Sequence, residues 1–206
     1  MTLAPVIPLD VARRRRTTPD PWSQLGWIAS SHDKRDAAAL YIRCGLHPHA
    51  VHGVTEDGAC TCSKGAGCPA AGKHPCDRGW QTAELDAARL DDRLRQDWRL
   101  NLGLRMGPQP GGFSLVALDV DGDLDLLDPL VAELGPLPET LTARTGRGGW
   151  HFLFCVRGGV QIKNRVRLAP GVDVRSTGGQ IVVAPSMHRS GRRYCWTRCQ
   201  RPELLP

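Results

Sequence analysis

Phe113-Ser114-Leu115-Val116-Ala117-Leu118-Asp119-Val120-Asp121 is apolar for most of its length and turns acidic at its end, the pattern of a buried strand delivering two carboxylates. Side chains alternate along a strand, so Asp119 and Asp121 share one face and Val120 takes the other. Two carboxylates this close repel unless a hard divalent cation sits between them, and Mg²⁺ or Mn²⁺ accepts an all-oxygen environment. The plainer alternative is a solvated strand end before an acidic helix start. For Asp123, Asp125 and Asp128 that alternative is preferred, because carboxylates favour a helix N-terminus. Asp119 and Asp121, which follow buried apolar residues, are assigned to metal.

Reading upstream, Leu102 and Leu104 alternate with Gly103 and Arg105 as a short strand, followed by a loop from Pro108 to Gly112. Leu90, Leu94 and Trp98 at four-residue spacing predict a helix over Asp86 to Arg99. Leu40, Tyr41 and Cys44 predict another over Asp36 to Cys44, with Ser30 and Asp33 as a capping box and Gly45 as its stop. His47 to His52 reads as extended. Residues 1 to about 30, with four prolines and the Arg13 to Arg16 run, read as a mobile leader on which no fold is forced. The arginine run is taken as a solvated charge run.

Reading downstream, Leu127, Leu130, Val131 and Leu134 mark a third helix closed by Gly135 and Pro136. Strands are expected at Leu141 to Thr145, Trp150 to Val156, Gln161 to Leu168, Gln180 to Ala184 and Arg193 to Thr197, with a Gly158-Gly159 turn among them. Helices gather early and strands late, which predicts an α+β fold with antiparallel sheet. The expected organisation is a leader (1–30), one domain (31–200) with a metal knuckle inserted at about 58–77, and a short tail (201–206).

The 206 residues carry 27 Lys+Arg against 21 Asp+Glu, a net charge of +6, with 41% hydrophobic residues. That suffices for a packed core, and no run approaches the ~18 apolar residues of a membrane span. Met1 to Asp10 lacks the apolar stretch of a secretory signal, so a cytoplasmic protein without membrane contact is expected. Disulfides are then disfavoured, and clustered cysteines point to metal. Cys60-x-Cys62-x5-Cys68-x5-His74 offers three thiolates and one imidazole, a closed tetrahedral set for structural Zn²⁺. Cys76 and His52 are the alternative ligands.

Two further stretches carry chemistry. Arg144-Thr-Gly-Arg147-Gly148-Gly149-Trp150-His151 is a glycine-rich turn with a histidine opening the next strand. Glycines allow close backbone approach to phosphates, arginines neutralise them, and His151 can donate a hydrogen bond to the same group. Alone the pattern is unspecific, since glycine-rich hairpins are common. In Pro170-Gly-Val172-Asp173-Val-Arg175, Asp173 and Arg175 alone read as a surface pair at the mouth of a turn. Beside Asp119 and Asp121, Asp173 completes a ligand set for two metals. From Arg144 to Arg175 seven bases face one acid, while Asp119 to Glu133 is purely acidic. An acidic centre beside a basic surface suits a polyphosphate or nucleic-acid substrate.

Together and in this order, the motifs resemble the N-terminal domains of bifunctional DNA primase/polymerases in the archaeo-eukaryotic primase superfamily. Val116 to Asp121 is similar to the superfamily's first acidic motif, Gly149-Trp150-His151 to its small-x-His motif, and Val172-Asp173 to its hydrophobic-Asp motif. Gly72-Lys73-His74-Pro75, Asn101 to Gly107 and Ile181 to Ser186 add to the likeness. Gly149 stands where a serine is frequent, and Cys76 where the family pattern has a basic residue.

The resemblance implies a two-layer fold with an RRM-like catalytic core and a small zinc-knuckle insertion. It assigns catalytic Mg²⁺ or Mn²⁺ to Asp119, Asp121 and Asp173, nucleotide phosphates to His151 with Arg147, Gly148 and Arg175 as neighbours, and Zn²⁺ to Cys60, Cys62, Cys68 and His74. It implies a template-dependent nucleotidyltransferase that makes or extends primers on single-stranded DNA from NTPs or dNTPs, in plasmid, phage or mobile-element replication. The sequence stops soon after the last expected strand, so extension is the expected activity, with a helicase or helical primase-associated protein supplied in trans for initiation. The competing expectation is a non-catalytic, zinc-containing DNA-binding accessory module, which leaves the three carboxylates unexplained. An RRM-like RNA binder would need exposed aromatics on its sheet, whereas Trp150, Phe152 and Phe154 share a strand face and are assigned to the core.

Overall fold

The computed structural model describes residues 20–157 and 160–206; the Arg13 to Arg16 run and the Gly158-Gly159 turn lie outside these described residues. A 3₁₀ turn, Pro21–Gln24, leads into α1 (Leu25–Ser31). Trp22, Leu25 and Ile28 are buried in the main core. The leader expected to reach residue 30 is therefore corrected: from Pro21 the chain is helical and anchored by three large apolar side chains, which outweigh the prolines that suggested disorder.

Helix α2 (Lys34–Arg43) begins on Asp33, whose carboxylate accepts the N–H groups of Arg35 at 2.7 Å and Asp36 at 3.3 Å. Asp33 is thus the N-cap itself, not the third residue of a box begun by Ser30. Helix α3 (Ala87–Gln96) is capped by Asp86, which accepts the Arg89 N–H at 2.9 Å, and it buries Leu90 and Leu94. It ends before Trp98 because Asp97 adopts an extended conformation and takes the Arg99 N–H and Nε–H on its carboxylate. Trp98, expected on the buried face, is 74% exposed. Helix α4 (Asp128–Leu134) follows a 3₁₀ turn and stops at Gly135 as expected.

In chain order the strands are β1 (Pro48–Val51), β2 (Asn101–Arg105), β3 (Gly107–Pro108), β4 (Phe113–Val120), β5 (Leu141–Arg144), β6 (Trp150–Arg157), β7 (Arg165–Ala169), β8 (Val172–Arg175), β9 (Gln180–Val183), β10 (Cys195–Arg198) and β11 (Glu203–Leu204). A small sheet runs β1-β2-β9 and a larger one β10-β5-β6-β4-β8-β7, with β3 added beside β4 and β11 beside β6. Every pairing is antiparallel except β11 with β6, so the expected mixed α and β fold with antiparallel sheet is present. Two expectations change. Residues 203–204, read as tail, extend the large sheet beyond the end of β5. Asp173, read from its neighbours as the mouth of a turn, lies within β8.

One core joins both sheets to the helices: Leu102 and Leu104 of β2, Ile181 and Val183 of β9, Leu115 and Ala117 of β4, and Leu153 of β6 pack with Leu40 and Tyr41 of α2. The Tyr41 hydroxyl donates to Ala184 O and accepts from Trp196 Nε1, tying α2 to the strands. On the opposite face of β4, Val120 packs with Val172 and Leu127, and the stacked rings of Trp150 and Phe152 lie against them. The alternation of β4 therefore holds: Leu115 and Ala117 face the main core, and two residues later the same face presents Asp119.

Candidate active site and metal centre

Strand β4 lies between β6 and β8, and the register aligns Asp119 directly opposite His151 on one side and Asp173 on the other. Three residues read from three separate motifs thus form one row across the sheet. His151 Nε2 lies 3.4 Å from Asp119 Oδ1, and His151 Nδ1 is buried without a partner. The Arg175 guanidinium bridges the two carboxylates, with Nε 3.3 Å from Asp119 Oδ2 and Nη2 2.6 Å from Asp173 Oδ2. Asp173 Oδ1 also accepts the Arg167 N–H at 2.7 Å, which the bulge in β7 makes possible by holding Arg167 at φ 57°. A left-handed non-glycine residue is uncommon, and here it turns a backbone donor onto a site carboxylate.

Burial alone would raise the Asp119 pKa, but the hydrogen bond from His151 and the charge of Arg175 outweigh it and hold the carboxyl below its ordinary value. Asp121 follows at the exposed end of β4, its N–H bonded to Gly171 O at 2.8 Å. Asp119 and Asp121 open into a cavity of about 410 Å³, between the acidic end of β4 and the small sheet, with Lys73, Arg147, His151 and Arg175 also in its wall. The sequence reading did not single out Tyr194, Gln180, Trp80 or Asn164, which complete that wall. Burial, then the charges of Asp119 and Asp121, push the Tyr194 hydroxyl pKa upward, so it is a neutral donor facing an acidic pair. No local pattern marks these residues, since the β9–β10 connection brings Tyr194 across only once the sheets pair.

The glycine-rich turn is built differently from a phosphate cradle. The N–H groups of Gly148 and Gly149 bond to Thr145 O and Thr145 Oγ1, each at 2.9 Å, and so are used within the turn. Arg147 reaches the cavity wall and Gly148 does not. A Cβ on Gly149 would stand 2.1 Å from Val120 O. This close approach of β6 to β4 leaves no room for a side chain at position 149.

Cys60, Cys62, Cys68 and His74 bring one ligand atom each to within 4.8 Å of one another. His74 Nε2 lies 3.4 Å from Cys60 Sγ and 3.5 Å from Cys68 Sγ. Hydrogen bonding from the Lys64 backbone leads in pulling the Cys62 thiol pKa down to about 6, which favours the thiolate a metal needs. The donor set and its spacing fit Zn²⁺. Cys76 stands apart: it packs against the main core, and burial pushes its thiol pKa up to about 12. His52 lies against His74 with ring centres 4.6 Å apart and the planes tilted by 34°, and meets Thr61, outside the ligand group. Among the described residues this is the one such metal-ligand group at that spacing; Asp119, Asp121 and Asp173 are not drawn together in the same way.

The knuckle is fixed to the fold beside the cavity. His52 N–H bonds to His74 O, Cys76 N–H to Ala50 O, and Gln180 Nε2 to Lys73 O at 2.8 Å. Buried Asn101 donates to Gly72 O and Met187 O and accepts the Met187 N–H, clamping the knuckle and the loop after β9 together. Among the described residues no helix is long and apolar enough to cross a membrane.

Compared with known proteins, the chain matches over residues 4–206 the family described as bifunctional DNA primase/polymerase, N-terminal. No curated protein matches it.

Proposed function

Because the chain belongs to the bifunctional DNA primase/polymerase N-terminal family, we propose that it is a template-dependent nucleotidyltransferase that synthesises or extends primers on single-stranded DNA, using NTPs or dNTPs. The observation that carries this reading is the row His151–Asp119–Asp173 across β6, β4 and β8, of which His151 and Asp119 line, with Asp121, a cavity that Lys73, Arg147 and Arg175 share, while Asp173 reaches it through the bridging Arg175. That arrangement separates a cation-binding end from a phosphate-binding wall, as nucleotidyl transfer requires.

Asp119, Asp121 and Asp173 offer only hard oxygen donors, which fit Mg²⁺ or Mn²⁺. When bound, these ions lower the pKa of the primer 3′-hydroxyl and neutralise the leaving pyrophosphate. The protein's own contribution is orientation and charge. Lys73 and Arg147 hold the polyphosphate so that the α-phosphorus faces the primer oxygen. The new P–O bond forms at the α-phosphorus as the bond to pyrophosphate breaks. Asp119 accepts the His151 Nε2–H and so fixes the ring, and as an imidazolium the ring has its Nδ1–H left to donate to a phosphate oxygen. Arg175 neutralises Asp119 and Asp173 and also lines the cavity, where its charge would face a bound polyphosphate.

The two-layer, RRM-like arrangement of the catalytic core, the structural Zn²⁺ at Cys60, Cys62, Cys68 and His74, a cytoplasmic location and a role in plasmid, phage or mobile-element replication belong to the same proposal. The helicase or helical partner expected for initiation gains no support from these observations. Primer extension on a single-stranded template, with Mg²⁺ or Mn²⁺ and each nucleotide set, tests the reading. An Asp119→Asn/Asp121→Asn protein should lose product while retaining DNA affinity. A non-catalytic accessory module would give no product with either protein.

A further inference from the structure

A second cavity, about 1080 Å³ and larger than the one at the carboxylates, lies on the other side of the Met187–Arg193 loop. Its wall is formed by the start of α2, the end of α3 and the hairpin leading into the zinc knuckle. Lys34 and Arg193 sit in it together, and among the described residues neither has a carboxylate within 4.0 Å. Lys34 gives one hydrogen bond, to Trp98 O at 2.8 Å, and Arg193 one, to Pro185 O at 3.1 Å. Most of their donors are therefore free. Exposed Arg189 adds a third cation without a carboxylate partner among the described residues. Asp33, Glu56 and Asp57 also line the cavity, but Asp33 is engaged as the α2 cap and Asp57 with Thr55, leaving Glu56 as the one acid without such an engagement. Burial, followed by the nearby charge of Arg193, pulls the Lys34 pKa down to about 8 against the opposing charges of Asp97 and Asp33.

At the rim stands Trp98, 74% exposed. An exposed indole over unpaired cations matches single-stranded nucleic acid, whose bases stack on aromatic faces while its phosphates meet lysine and arginine. An acidic peptide would use the cations but not the indole face. The two cavities also meet at one wall: Tyr194 lines the carboxylate cavity, and its ring packs edge-on against His188, which lines this one, at 6.3 Å.

We propose that this cavity binds a segment of the single-stranded template lying beyond the active site, with Trp98 stacking a base and Lys34, Arg189 and Arg193 holding the backbone. The proposal rests on the polymerase reading for the identity of the strand, but its binding chemistry is independent of catalysis. The test is fluorescence anisotropy of a labelled dT20 strand with the full chain, without nucleotides, over a range of salt. Trp98→Ala should bind about tenfold more weakly at fixed salt. Lys34→Gln/Arg193→Gln should flatten the salt slope by about 1.4, two single-strand phosphates' worth. Unchanged melting temperatures would show that both variants remain folded, and Trp98 is too exposed to hold the core. Affinity and salt slope equal to the parent protein in both variants would overturn the proposal, even if the parent extends primers. Loss of binding in these variants would support it, even if no protein shows extension.

Discussion

Asp119 on β4 and Asp173 on β8 are direct cross-strand partners, and the Arg175 guanidinium lies between their carboxylates. Like charges directly opposite one another on a sheet are unfavourable, and both side chains are only 16% exposed. The pair is therefore tolerable only with a cation between its members. Arg175→Gln should destabilise the protein by about 1–3 kcal/mol, the cost of leaving charged hydrogen-bonding groups without their partner. Mg²⁺ or Mn²⁺ should raise the melting temperature of this variant more than that of the parent. Equal responses in differential scanning calorimetry would contradict the assignment of these carboxylates to cations.

The zinc centre predicts one protein-bound zinc per chain by elemental analysis. Cys62→Ser/Cys68→Ser should remove it and lower the melting temperature, whereas Cys76→Ser should retain it, because Cys76 packs in the core away from the ligand group. Retention of zinc by the Cys62→Ser/Cys68→Ser protein would sink the site.

Gly149 offers a steric test of the β4–β6 junction. With a Cβ held 2.1 Å from Val120 O, Gly149→Ala must push apart the strands that align Asp119 and His151. A loss of about 2 kcal/mol or more is expected, in the range of overpacking substitutions. Gly149→Ser should fare no better, since it carries the same Cβ. A melting temperature unchanged by either substitution would refute the close approach.

His49 carries a pH dependence whose sign follows from its surroundings. Its ring stacks on Trp80 at 5.0 Å and meets Gln180, and burial pulls its pKa down to about 4 from 6.5. The folded value is depressed, so the stabilisation is fully present above pH 6.5 and is lost as pH falls towards 4. The effect is on the order of 2–3 kcal/mol. Urea denaturation at pH 7.5 and 4.5 should show a smaller decline for His49→Gln than for the parent, and parallel declines would contradict it.

Much of this arrangement was legible in the sequence, for physical reasons that differ by element. The apolar run Leu115 to Leu118 announces a buried strand, and its alternation carries Asp119 and Asp121 onto one face. Cysteine spacing likewise reports the knuckle, because its ligands are local. Strand β8 was not legible from its neighbours: four residues with two charges inward look like a turn until β4 pairs with them. The register that sets His151, Asp119 and Asp173 in one row depends on pairings between strands far apart in the chain, β4 with β6 and β4 with β8. Gln180 takes its place through the β2–β9 pairing of the small sheet, and Tyr194 through the connection from β9 to β10. Trp98 misled in the opposite direction, since four-residue spacing continues past the point where Asp97 ends the helix.

The central claim is that the carboxylate row is the centre of nucleotidyl transfer, and Asp173 tests it most sharply because its neighbours alone suggested a surface ion pair. The decisive measurement is the single-turnover rate of nucleotide incorporation into a pre-annealed primer–template, with Mg²⁺ or Mn²⁺, for the parent and Asp173→Asn. The account predicts metal-dependent incorporation by the parent and a fall of about a thousandfold or more in the variant, with DNA affinity retained. Parent-like incorporation by Asp173→Asn, or none by folded, zinc-loaded parent protein, would contradict it.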